Sequence, residues 1–278
     1  MTQASQEIDM EKKFERLENI LHSYESAVVA FSGGVDSTFL AWVCKRVLDS
    51  KVLAVTVDSM FIPQSEIREA ELLAQKIGLM HRIISIPDFD ETVLENPPNR
   101  CYLCKRVLFS LLLEVARDSG LCVVLEGSTI DDLKDFRPGL RAIREKAVKS
   151  PLLDTGLSKQ EIRILSRKFG LPTWDKPPSA CLASRIPYNQ KITREKLEII
   201  EQAEDYLRKK GFTQCRVRCH LDLARIEVLP EERQKFFSVP FLDELARRFQ
   251  EFGFRYVTFD LEGYKMGKLN QAVEEEGL

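Results

Sequence analysis

Six consecutive residues, Ser32-Gly33-Gly34-Val35-Asp36-Ser37, are the stretch of this chain best suited to hold a charged ligand. They follow Val28-Val29-Ala30-Phe31, a β-branched and aromatic run that reads as a buried parallel strand. Thr38-Phe39-Leu40-Ala41-Trp42-Val43-Cys44 comes next and has the character of a buried helix. A glycine turn between a strand and a helix N-terminus is an anion site. The glycines allow positive φ and close approach of the backbone, and the first-turn N–H groups point at negative charge. Ser32 and Ser37 add hydroxyls on either side, and Asp36 is placed either to cap the helix or to hold a magnesium ion. No lysine follows the glycines, so this is not the loop that ends in GK[ST]. An ordinary strand-to-helix turn with a capped helix is the plainer alternative.

Thiols are the second chemical resource. Of the seven cysteines, Cys101 and Cys104 form a CxxC, and Cys181 stands alone in a proline-rich stretch. A CxxC can bind zinc, do thiol redox chemistry or hold part of an iron–sulfur site. No second CxxC or HxxxH completes a zinc site nearby, and Cys219 and His220 are ligands only if folding brings them across. Cys44 and Cys122 read as small apolar core residues, and Cys215 is open. Arg216 and Arg218, one residue apart on an expected strand, share a face and read either as a phosphate clamp or as a solvated basic surface. Asp131, Asp132, Asp135 and Arg137 form a polar cluster after a strand; Asp131 is the candidate for magnesium, the others for helix caps.

Positioning these groups takes alternating strands and helices. Phe14, Leu17, Ile20 and Leu21 give residues 9–24 helical spacing. Lys51 to Val57 predicts a second strand ending at Asp58-Ser59, His81 to Ile86 a third, and Leu121 to Glu126 a fourth running into Gly127. Ser65 to Ile77 and Ser158 to Phe169 read as helices, and the irregular stretch Pro97 to Arg106 opens a helix carrying Val107 to Arg117. The pattern predicts an α/β fold, a doubly wound parallel sheet, over residues 1–186. Ligands in such sheets sit at the C-terminal ends of strands, which sets Asp58, Ser59 and Gly127 beside a nucleotide's ribose and adenine. Lys176 to Tyr188 is too rich in proline for a regular element. Beyond it a helix from Thr193 to Lys210, a hairpin of two strands (215–220 and 223–229), a helix (242–252) and a strand (256–261) predict a smaller α+β domain over 187–278 for substrate binding and oligomerisation.

The totals bound the partners. With 278 residues there is room for one large or two modest domains, and 44% hydrophobic with 30% charged residues is the composition of a soluble protein. Met1 to Arg16 is polar and acidic, unlike a signal peptide, and no run reaches the roughly 20 apolar residues a membrane helix needs, so the expected place is the cytoplasm. Thiols or metal ligands are then expected in place of disulfides. A net charge of −2 argues against a broad nucleic-acid surface.

The SGGVDS stretch is similar to the PP-loop of the ATP pyrophosphatase superfamily, the adenine nucleotide alpha hydrolase-like fold, whose members split ATP between its α and β phosphates. Together with DDLKDFRPGLRA (131–142), SACLASRIPY (179–188) and RVRCHLDLARIEV (216–228), the chain resembles the LarE family from about residue 27 to 268. These are ATP-dependent sulfur transferases that build the nickel-pincer nucleotide cofactor of lactate racemase. The resemblance implies adenylation of pyridinium-3,5-biscarboxylic acid mononucleotide and conversion of its carboxylates to thiocarboxylates. It implies that Ser32, Gly33, Gly34, Asp36 and Ser37 bind the pyrophosphate of ATP with Mg2+, and that Arg216 and Arg218 clamp the substrate's 5′-phosphate. Glu204 matches a family position near the transferred sulfur, although the sequence alone reads it as a solvated helix charge. One branch of the family sacrifices its own cysteine, leaving dehydroalanine. The other holds a 4Fe–4S cluster on three cysteines and transfers an extra sulfide bound to the unligated iron. Cys101, Cys104 and Cys181 match the second branch, with a sulfide source and a homo-oligomer as the implied partners. A departure is Asn189, where the family's PYG has glycine; asparagine tolerates left-handed backbone angles. The chemistry is coherent: adenylation gives a carboxylate a leaving group, and three thiolates leave one iron of a cubane open.

The rival readings are a PP-loop tRNA thiolase, an amide-forming synthetase, and a nucleotide-binding module stapled by zinc. The near-neutral charge counts against the first, and the three cysteines have no use in the second.

Overall fold

The structure is a computed structural model, and it describes residues 3–134 and 138–265. In chain order the regular elements are α1 (Gln3–His22), β1 (Ala27–Ala30), α2 (Val35–Leu48), β2 (Val52–Ser59), α3 (Gln64–Lys76), β3 (His81–Ile86), α4 (Glu91–Leu94), α5 (Arg100–Asp118), β4 (Val123–Leu125), α6 (Gly139–Glu145), α7 (Pro151–Asp154), α8 (Lys159–Lys168), α9 (Arg194–Lys209), β5 (Cys215–His220), β6 (Leu223–Val228), α10 (Val239–Phe252) and β7 (Tyr256–Phe259). The chain divides into two units, Met1–Asp88 with Asn99–Ser179, and Phe89–Pro98 with Ala180–Leu278. The seam at 179/180, ahead of the expected 186/187, gives Cys181 to the second unit.

In the first unit four parallel strands lie in the order β3-β2-β1-β4. Side chains of β1 alternate between two cores. Ala27 and Val29 join Leu17 and Leu21 of α1, Phe39 and Leu40 of α2, and Ile162 and Leu165 of α8. Val28 faces the other way, toward Phe109 and Leu112 of α5 and Ile143 of α6. Each such fully buried side chain contributes about 1.5–3 kcal/mol, and covering both faces is what a parallel sheet requires. The doubly wound α/β architecture expected from the sequence is present. The order reverses direction at β1, and sheets of this kind take ligands at the C-terminal ends of the strands beside that reversal, here β1 and its neighbour β4.

One boundary differs in a way that bears on chemistry. α5 starts at Arg100, just after Pro97 and Pro98 and with Asn99 at its N-cap, so both CxxC cysteines lie within its first five residues and not in a preceding loop. Proline disfavours helix in the residue before it and tolerates one after it, so the turn begins as soon as the prolines end.

The second unit is a mixed three-stranded sheet in the order β5-β6-β7, with β5 antiparallel and β7 parallel to β6. α9 packs on β5 and α10 on β7. The excursion 89–98 belongs here because buried Asn96 donates to the carbonyls of Ile186 and Pro187 at 3.2 and 2.7 Å, while its own carbonyl accepts from Asn189 N at 2.8 Å. Asn189 itself has φ 62°, the left-handed conformation for which asparagine substitutes for the family's glycine. Among the described residues no helix is long and apolar enough to cross a membrane. Asp135 and Arg137 lie outside the described residues.

Candidate active site

The loop after β1 braces itself. Ser32 Oγ and Ser37 Oγ are 3.0 Å apart, Ser37 Oγ donates to the Gly34 carbonyl at 3.3 Å, and Ser32 Oγ accepts from Gly34 N at 3.4 Å. Gly33 takes φ +67°, and a Cβ there would meet Cα and Cβ of Ala70 on α3 at 3.1 Å, so this glycine both turns the chain and lets it seat on α3. Gly34 is the N-cap of α2 and has no side-chain cap bond. Asp36 is therefore not the cap, which corrects one of its two sequence readings; it lies in the first helical turn, where a carboxylate at a helix N-terminus remains a candidate magnesium ligand.

Strand order brings the other nucleotide candidates to this loop. Gly127, just past β4, sits so close that a Cβ would lie 3.2 Å from Ser37 N and 3.3 Å from Asp36 C. The turn around it is held by Glu126, which the sequence reading passed over: this buried carboxylate accepts from Ser128 N at 3.1 Å and from the hydroxyls of Ser128 and Ser150. At the end of β2, Asp58 accepts from Gln64 of α3 at 3.1 Å and Ser59 is buried. Asp131 and Asp132 serve α8: Lys159 N donates to Asp131 at 2.8 Å, and Asp132 takes Thr129 N and Lys159 Nζ, both at 2.8 Å. The magnesium reading of Asp131 gives way to that capping role.

The thiols sort by environment. Cys44, Cys215 and Cys219 are buried, and burial raises the pKa of each; with the Glu204 carboxylate nearby, Cys215 is pushed up to about 12. These three are inert core residues. Cys122, expected in the core, is exposed instead, because β4 starts at Val123, two residues after the expected Leu121, and leaves Cys122 outside the strand. Cys101 and Cys104 are half-buried cysteines outside any disulfide, three residues apart near the start of α5 and hence on one face, and an Arg100 guanidinium nitrogen lies 4.0 Å from Cys101 Sγ. Cys181 is a third half-buried cysteine, immediately before a short 3-10 turn, Leu182–Arg185. Two thiols on one helical face beside a guanidinium are chemically of the kind that ligate iron–sulfur clusters, while Cys181 belongs to the second unit. Among the described residues, no three His, Cys, Asp or Glu side chains are gathered as a bound metal would hold them.

In the second unit the arginines are buried, which overturns the solvated-face reading. Arg216 and Arg218 are 6% and 7% exposed, and Glu204, read as a solvated helix charge, is 0% exposed. Glu204 is gripped by Arg185 through two bonds of 2.8 and 2.9 Å, and by Arg208 and Val217 N at 3.0 Å each. Arg185, a residue the sequence reading did not single out, then donates to the carbonyls of Ala180 and Cys181 at 2.6 and 3.0 Å. Glu204 therefore fixes the backbone that presents Cys181, acting through Arg185. Arg218 pairs with Glu227, which Arg225 shares, and also donates to Ser184 O at 2.7 Å. Arg216 lies over the ring of Tyr264 at 5.2 Å. Arg216 also donates to the Cys215 carbonyl at 2.8 Å, and burial and the charge of Arg185 lower its pKa against the opposing pull of Glu204.

The sequence model of the NAD synthase family matches residues 10–106, the part that carries β1, the glycine loop and the CxxC. Sheet, loop and match together define an ATP-dependent enzyme of the PP-loop pyrophosphatase class. The pyridinium-3,5-bisthiocarboxylic acid mononucleotide synthase of Lactiplantibacillus plantarum is 36% identical over 93% of this chain and 94% of its own length. The chain belongs to that synthase's family. Two uncharacterized proteins are also similar over nearly full length: slr1717 of Synechocystis, 43% identical over 95% of this chain and 99% of its own, and MJ0830 of Methanocaldococcus jannaschii, 30% identical over 91% and 98%.

Proposed function

We propose that this chain adenylates a carboxylate of pyridinium-3,5-biscarboxylic acid mononucleotide with ATP and replaces the activated oxygen by sulfur. The observation that carries the reading is that nearly the whole chain aligns with a relative whose name specifies a bisthiocarboxylic acid mononucleotide. A carboxylate oxygen attacks the α-phosphorus, pyrophosphate leaves, and a sulfur nucleophile then attacks the acyl carbon and expels AMP with that oxygen. Ser32, Gly33, Gly34 and Ser37 receive the pyrophosphate at the N-terminus of α2, Asp36 holds Mg2+, and Asp58, Ser59 and Gly127 border the nucleoside. Arg216 and Arg218 hold the substrate phosphate, two guanidiniums one residue apart on β5 and so on one face of it. Glu204 positions the Cys181 backbone through Arg185 and is not itself a reacting group.

Cys101, Cys104 and Cys181 would hold a 4Fe–4S cluster, which when bound supplies the transferable sulfide. The test combines iron and sulfide counts on anaerobically purified protein with intact mass after one round of ATP and substrate. Iron that is lost on replacing any one of the three cysteines by alanine, with an unshifted mass and sulfide-dependent multiple turnover, is the expected result. A second reading is sacrifice of Cys181, a half-buried thiol whose backbone carbonyl is held by Arg185. It requires a loss of about 34 Da, cysteine becoming dehydroalanine, and activity in the Cys101→Ala and Cys104→Ala variants.

Arg216→Ala is expected to raise KM for the pyridinium mononucleotide with little change in KM for ATP. Losing one charge-assisted phosphate contact costs about 1.5–3 kcal/mol, on the order of ten- to hundredfold. Steady-state kinetics with each ligand varied decides it: equal effects on both ligands would remove Arg216 from the phosphate site.

A further inference from the structure

The glycine loop has no cation of its own. Ser32 to Ser37 contains neither lysine nor arginine, and its only charged residue is Asp36. Loops that hold a nucleoside triphosphate through backbone amides elsewhere carry a lysine that reaches the β- and γ-phosphates, because helix-dipole charge alone is a small counterweight to several negative charges. In this chain an ammonium reaches the loop from far away in sequence. Lys176 Nζ donates to the carbonyl of Gly33 at 3.0 Å and lies 3.1 Å from Glu69 of α3, with its side chain only 19% exposed.

The lysine is held there by its own backbone. Arg163 of α8 donates to the carbonyls of Trp174 and Lys176 at 2.8 and 2.7 Å, Arg167 stacks over the Trp174 ring at 4.8 Å, and Lys176 N donates to Thr173 O at 3.0 Å. Further on, the Ser179 hydroxyl bonds Glu66 of α3. The segment 173–179 is thus strapped between α8 and α3, and its one ammonium is delivered to the left-handed glycine. Occupying the Gly33 carbonyl has a direction: an acceptor turned into the loop would repel phosphate, whereas one tied to Lys176 leaves the loop to its amides and hydroxyls.

We propose that Lys176 is the pyrophosphate-reading cation of this chain. It fixes the Gly33 carbonyl in the free loop and gives its ammonium to the β- and γ-phosphates when ATP binds, with Glu69 keeping the side chain in place beforehand. This rests on the reading that the SGGVDS loop takes ATP, and the test separates the two. Calorimetric titration of the full chain with magnesium pyrophosphate and, separately, with AMP is done on wild type, Lys176→Met, Lys176→Arg and Lys76→Met. Lys76 is exposed at the end of α3 and serves as the control for general charge. In Lys176→Met, pyrophosphate affinity is expected to fall at least about tenfold and AMP affinity less than about twofold, the loss of one charge-assisted contact confined to the β/γ side. Lys176→Arg should recover most of the pyrophosphate affinity, and Lys76→Met should lose none. Unfolding midpoints are recorded alongside, and if Lys176→Met does not fold, Lys176→Gln, which keeps a donor for Gly33 without the charge, takes its place. Unchanged pyrophosphate binding, or parallel weakening of pyrophosphate and AMP, overturns the role of Lys176. A wild-type chain that binds neither ligand overturns the ATP reading of the loop itself.

Discussion

Gly33→Val and Asp36→Ala are each expected to suppress pyrophosphate release from ATP plus substrate by about 10²–10³-fold or more, while the chain stays folded. Gly33 stands at φ +67°, and a Cβ there would lie only 3.1 Å from Ala70. A β-branched side chain there pays the left-handed penalty of about 1–2 kcal/mol and must also push the loop off α3, which turns the anion-facing amides away. Asp36→Ala acts differently: it removes a carboxylate from the first turn of α2 without disturbing the glycines, so any loss reflects the metal or the phosphates and not the turn. Gly34 is the weaker probe, since a Cβ there meets only the Ser32 hydroxyl, at 3.3 Å. Pyrophosphate release is read by a coupled assay, with an unfolding scan of each variant beside it. Wild-type rates from either folded variant would remove the loop from the chemistry.

The second large effect falls on stability. Glu204→Ala is expected to destabilise the second unit by about 3–5 kcal/mol, because it leaves the Arg185 guanidinium buried without its carboxylate. Arg185 also carries the carbonyls of Ala180 and Cys181, so the same change should loosen the Cys181 backbone and alter the rate at which that thiol reacts with a maleimide. The pH dependence follows from the carboxyl's pKa. Burial opposes ionisation, but the charge and hydrogen bonds of Arg185, with help from Arg216 and Val217 N, leave it below its usual value of 4.5. A carboxyl with a depressed folded pKa contributes its stability fully above the unfolded value and loses it as pH falls through the folded one. Wild type should therefore lose stability below about pH 4.5 more steeply than Glu204→Gln, which has no proton to gain there. Chemical denaturation at two pH values measures this. A cost under about 1 kcal/mol for Glu204→Ala would return the residue to an ordinary exposed helix charge.

How far the sequence reached depended on whether the signal was local. β1, the glycine loop and α2 were legible because strand propensity, glycine turn and helix follow one another without interruption, and each is fixed by neighbours within a few residues. Asn189 was legible for the same reason: its left-handed backbone is a property of its own side chain. The edges of α5 were less so, since the two prolines fix where the helix begins while the cysteine-bearing turn after them has little hydrophobic periodicity to declare it. Burial of charge was not legible at all. Glu204, Arg216 and Arg218 sit on segments whose local pattern suits a solvated face as well as a buried one, and only the pairing of α9, β5 and the turn at 182–185 supplies the partners that make burial affordable. Arg185 and Lys176 were passed over because each acts on a backbone carbonyl, and a carbonyl leaves no mark in the sequence of the residue that binds it. Which groups can do chemistry is written in residue type and local spacing; which of them are buried and held depends on desolvation and partners, and those come from residues far apart in the chain.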